Sequence, residues 1–164
     1  MTSVDLNNKA IQILKKCKIN IIPHFIVRPE YTASDFDELF SYVDYNHLFK
    51  PVFAVLTPLP GTELYEETKA GFYLHNYDFF DFAHSVLPTT LARKEFYSYL
   101  FNLYKKSYSL SRFLKFRFEH RNKYLNKTDR LMLTDNISFI RLLLMNVLGR
   151  RQVIKIKHAY LKES

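Results

Sequence analysis

The stretch Pro51-Val-Phe-Ala-Val-Leu-Thr-Pro-Leu-Pro-Gly-Thr-Glu-Leu-Tyr65 decides how the rest of the chain is read. Val52 to Leu56 is a continuous β-branched, aromatic and aliphatic run, the pattern of a strand covered on both faces of a parallel sheet. Pro58, Pro60 and Gly61 forbid its continuation. Thr62 is then a good N-cap, and Glu63, Glu66 and Glu67 fall at the positive amino end of a helix. Gly61 serves the turn itself by admitting a positive φ or a close approach to the helix. A strand's carboxyl end and a helix's amino end meet here, which is where open α/β sheets bind ligands.

Working outward, Val4 to Lys18 carries Leu6, Ala10, Ile13, Leu14 and Cys17 at helical spacing, with lysines gathered at the carboxyl end. Ile19 to Val27 reads as a strand in which Pro23 removes one ladder hydrogen bond, so a bulge or edge position is expected there. Ser34, with Asp37 three residues on, predicts a helix start running to about Asn46 and burying Phe36, Leu39, Phe40 and Val43. The Val52 to Thr57 strand follows, then a helix to Ala70 stopped by Gly71. The order is strand, helix, strand, helix: one βαβ unit with a crossover connection. Two parallel strands make a marginal sheet with an open edge, so the missing strands come either from another chain or from a longer enzyme of which this is a piece.

The turn also resembles a family. Leu56-Thr-Pro-Leu-Pro-Gly-Thr-Glu-Leu-Tyr65 is similar to the TPLPGTxLY signature that follows the sixth barrel strand in radical S-adenosylmethionine enzymes, particularly cobalamin-binding members similar to hopanoid methylases. Phe25-Ile-Val-Arg-Pro-Glu-Tyr-Thr32 resembles the segment closing the fifth strand. Asn76-Tyr-Asp-Phe-Phe-Asp-Phe-Ala-His84, continuing through Leu87-Pro88-Thr89 to Glu95-Phe-Tyr97, resembles the run after the sixth helix. The matches cover about Ile19 to Tyr104 in the family's order.

The resemblance implies an α/β fold in which residues 1–90 are the carboxyl-terminal part of a partial (β/α) barrel. It implies methyl transfer to an unactivated carbon, on a lipid-like substrate. In such barrels the backbone at the end of the last strands lies along the adenine and ribose of S-adenosylmethionine. Carried over, this points to Phe25, Ile26 and Val27 and to Val55, Leu56, Thr57 and Pro58. Their contribution would be shape, backbone hydrogen bonds and exclusion of water from a radical intermediate. A four-iron, four-sulfur cluster needs three cysteines as C-x-x-x-C-x-x-C, and this chain has one, Cys17. Cys17 sits on an apolar-periodic segment and reads as a small core hydrophobe. S-Adenosylmethionine, the cluster and cobalamin therefore belong to a full-length enzyme. This chain alone is expected to hold none of them and to be inactive, its partner being the missing amino-terminal barrel portion or a companion chain.

Charge divides the sequence more sharply than hydropathy. Residues 1–90 carry 7 Lys and Arg against 11 Asp and Glu, whereas residues 91–164 carry 17 against 5, giving net charges of −4 and +12. The second part is accordingly a basic, aromatic, mainly helical extension. Phe96, Tyr97, Leu100, Leu103 and Tyr104 mark one helix. Phe113, Phe116, His120 and Tyr124 suit a second, although Arg112 to Phe118 also alternates like a strand. A last helix from about Asp135 holds Ile137, Ile140, Leu143, Leu144 and Val147, then turns basic at Arg150, Arg151, Lys155 and Lys157. Three readings of the extension stand side by side. It seats rings and cations in an anionic membrane surface, it binds nucleic acid, or its charges only solvate a helical subdomain.

At 164 residues with 48% hydrophobic content, the chain can bury a sizeable core. The polar start Met1-Thr-Ser-Val-Asp-Leu-Asn-Asn8 is no signal peptide. Ile137 to Leu148 is too short to span a bilayer and is interrupted by Arg141 and Asn146. The expected location is cytoplasmic, with peripheral attachment at the inner membrane face under the first reading.

Few side chains outside the turn suggest chemistry. His84 with Asp78 and Asp81 would make an acid/base cluster, a carboxylate orienting an imidazole; capping of local backbone is the commoner use of such residues. His24 and Arg28 lie at the end of the first strand, where Arg28 pairs either with a ligand carboxylate or with a surface acid. The six histidines show no zinc spacing, and neither a phosphate loop nor a nucleophile elbow is present. A non-catalytic binding module that uses the basic tail is the competing class.

Overall fold

Two short parallel strands pair in register, His24 opposite Val52 and Val27 opposite Val55. They are β1 (His24–Val27) and β2 (Val52–Val55). The computed structural model describes residues 3–19, 21–109 and 111–112. Within them the order is α1 (Ser3–Lys16), β1, α2 (Ala33–Tyr45), β2, α3 (Glu63–Thr68), two short 3₁₀ turns at Lys69–Gly71 and Tyr77–Phe79, and α4 (Arg93–Ser107). The βαβα order read from the sequence is present. The expected elements of the extension beyond Arg112, including Phe113 to Tyr124 and Asp135 onward, lie outside the described residues.

β1 is shorter than the expected Ile19–Val27. It starts only after Pro23, which has no N–H to give a ladder but whose carbonyl accepts the Val52 N–H at 2.9 Å. α2 opens two residues earlier than Ser34 and Asp37 suggested. Thr32 is its N-cap residue, and the Thr32 N–H donates to the Asp35 carboxylate at 2.7 Å. That contact holds the Asp35 carboxyl below its ordinary range, the Thr32 hydroxyl contributing most.

Side chains alternate across the sheet. Phe25, Val27, Phe53 and Val55 turn toward α2 and α4, where Phe36, Val43, Phe96, Leu100 and Leu103 complete one core. Aromatic rings lock it: Phe36 meets Phe96 edge-on at 5.4 Å and stacks on Tyr99 at 5.6 Å, and Phe25 stacks on Phe53 at 5.7 Å. α4 therefore shares its core with the βαβ unit. The other face of the sheet carries His24, Ile26, Val52, Ala54 and Leu56, of which His24 and Ile26 are exposed and the other three half-buried.

α1 reverses part of the sequence reading. Ile11 and Lys15 are its buried residues, while Leu6, Ile13 and Cys17 are exposed. The Lys15 ammonium reaches the Asn46 carbonyl at the end of α2, and that interaction turns the helix. Burial pushes the Lys15 pKa down. Cys17, expected in the core, lies at the surface just after the helix.

Candidate functional site at the carboxyl ends of the strands

The turn after β2 forms as its residues dictate. Gly61 takes φ +87°, with nothing near the place a side chain would occupy. The Thr62 hydroxyl accepts the Tyr65 N–H at 3.2 Å and donates to the Leu59 carbonyl at 2.7 Å. Glu63 and Glu66 sit in the first turn of α3, against its positive end. Thr57 is buried and its hydroxyl donates to the Val55 carbonyl at 3.1 Å. Pro58 is also buried.

Of the seven strand-end residues singled out from the sequence, Thr57 and Pro58 are buried in the turn and the other five separate into two groups. Phe25, Val27 and Val55 direct their side chains into the helix-covered core, so they can meet a ligand only through backbone. Ile26 and Leu56 lie on the opposite face, Ile26 60% exposed and Leu56 half-buried. Several backbone groups are already taken: the Leu56 N–H donates to the Val27 carbonyl at 2.9 Å, and the Val55 N–H to the Phe82 carbonyl at 2.7 Å. His24, expected at the end of the strand, instead opens β1 at its amino end and is exposed, while Arg28, just past Val27, pairs with Glu30 at 3.2 Å on the surface.

One residue pair is brought together as anticipated. His84 Nδ1 lies 2.8 Å from Asp81 Oδ2, and the Ala83 and His84 N–H groups both donate to Asp81 Oδ1 at 2.9 Å. Burial pushes the Asp81 carboxyl up, but these N–H groups and the His84 ring outweigh it and hold it below its ordinary range. Asp78 stays apart, its N–H bonded to Asn76. His84 is buried with Phe79 edge-on at 5.2 Å, an arrangement that shapes the loop. Phe82, between the two, holds φ +61° with its ring half exposed. Nothing in the sequence marked that strained position.

Sequence reading placed Tyr97 and Tyr104 on this helix but missed the hydrogen bonds that they and Tyr108, the residue just after α4, make. Tyr97 accepts the Ser85 N–H at 2.7 Å, Tyr104 bonds both the N–H and the C=O of Phe53, and Tyr108 donates to the Pro51 carbonyl at 2.7 Å. Their spacing of seven and four residues, one helix face, was the available signal.

Comparison with known proteins gives one partial likeness. Over 68 residues, 41% of this chain, the sequence is 38% identical to bacteriochlorophyllide d C-8(2)-methyltransferase of Chlorobaculum tepidum; the matched segment spans 15% of that protein. No family model matches the chain, and no solved structure matches it. The likeness is therefore to a small part of a methyltransferase. The residues present do not fit an iron–sulfur cluster: the chain has the single Cys17, in the turn leading to the amino end of β1 and away from Val55 to Pro58. Among the described residues no three His, Cys, Asp or Glu side chains converge as metal ligands, and no helix is long and apolar enough to cross a membrane.

Proposed function

We propose that this chain is the carboxyl-terminal portion of a radical S-adenosylmethionine methyltransferase of the cobalamin-binding type, acting on an unactivated carbon of a lipid-like substrate. The observation that carries the reading is the 38% identity to a methyltransferase over 68 residues, joined to a buried strand that ends in a proline-braced turn. The sheet face bearing Ile26, Ala54 and Leu56, with the backbone of Val55 to Pro58 at its rim, is the part that would lie along the adenosyl group. Apolar side chains there exclude water and backbone groups orient the nucleoside. The cluster ligands and cobalamin must come from the amino-terminal barrel portion or a companion chain, so the chain alone has no activity.

A chimera tests this. The 68 matched residues of the Chlorobaculum tepidum enzyme are replaced by those of this chain, and methyl transfer to that enzyme's own substrate is assayed. Retained turnover supports the assignment. A folded chimera without turnover counts against it, provided that the parental enzyme assayed in parallel is active. Anaerobic reconstitution of this chain alone with iron and sulfide should give no brown absorbance; stoichiometric cluster uptake would also overturn the reading.

A further inference from the structure

We draw no further inference here: the strongest candidate, the half-exposed Phe82 ring on the loop that lies against the end of β2, sits at a positive φ within the turn that Asp81 closes, and nothing in the structure shows what covers it.

Discussion

The Tyr104 hydroxyl stands in for a neighbouring strand to Phe53, accepting its N–H at 3.0 Å and donating to its C=O, while the two rings meet edge-on at 5.0 Å. One side chain thus satisfies both backbone groups of a residue at the outer edge of the sheet. Replacing Tyr104 with Phe keeps the ring and orphans both groups. The loss should be about 1–3 kcal/mol, the cost of leaving buried polar groups unpaired. Urea denaturation measures it, and a loss under about 0.5 kcal/mol would mean that water replaces the hydroxyl.

The same tyrosines make the fold sensitive to alkali. Burial pushes Tyr104 up from its ordinary value, and pushes Tyr108 up to about 12. A phenol whose pKa is higher folded than unfolded stabilises the fold below the unfolded value near 10, and that contribution disappears as pH rises toward the folded value. Stability should therefore fall between pH 10 and about 12, and less steeply in Tyr108→Phe, as chemical denaturation across that window reports.

Asp81 gives the opposite dependence. Its carboxyl is held below the ordinary 3.8, so its stabilisation is present above that value and is lost as pH falls through the lower folded value. Asp81→Ala should remove two backbone acceptor contacts and the His84 partner, and should flatten the acid limb of the stability profile. The parent and the variant should converge in stability at the acid end. Parallel acid limbs would show that the loop is held by other contacts.

The legible parts of the fold are those where local chemistry decides. Gly61 and Thr62 announced their turn, and the apolar spacing of α4 predicted Phe96, Leu100 and Leu103, all buried. Legibility ended where tertiary contacts outvoted a pattern. In α1 the Leu6, Ile13 and Cys17 stripe was a sound amphipathic signal. Yet Lys15 finds a carbonyl at the end of α2 31 residues away, and Ile11 follows it inward. The α2 cap moved from Ser34 to Thr32 because two acceptable pairs, Thr32 with Asp35 and Ser34 with Asp37, overlap in sequence. At the candidate site the backbone rim could be placed from the turn alone. That Val55 would lend its N–H to the Phe82 carbonyl could not, since it depends on a loop bending through a positive φ at a phenylalanine.

Arg112 supplies the last prediction. Its side chain, about 10% exposed, donates from Nε to Asp44 at 2.9 Å, from Nη1 to the Ser107 carbonyl at 3.0 Å, and from Nη2 to the Val43 and Leu48 carbonyls at 3.2 and 3.0 Å. It therefore joins the carboxyl end of α2 to that of α4, giving carbonyls that a helix end leaves over a charged donor. Only a rigid fork of donors reaches four acceptors spread this way; a lysine ammonium presents its protons from one atom. Arg112→Met should cost about 1.5–3 kcal/mol, with Asp44 half exposed and able to recover water. Arg112→Lys should recover less than half of that loss, and amide exchange near Leu48 should quicken in both variants. A lysine variant as stable as the parent would mean that charge alone, rather than the shared carbonyls, holds the two helix ends together.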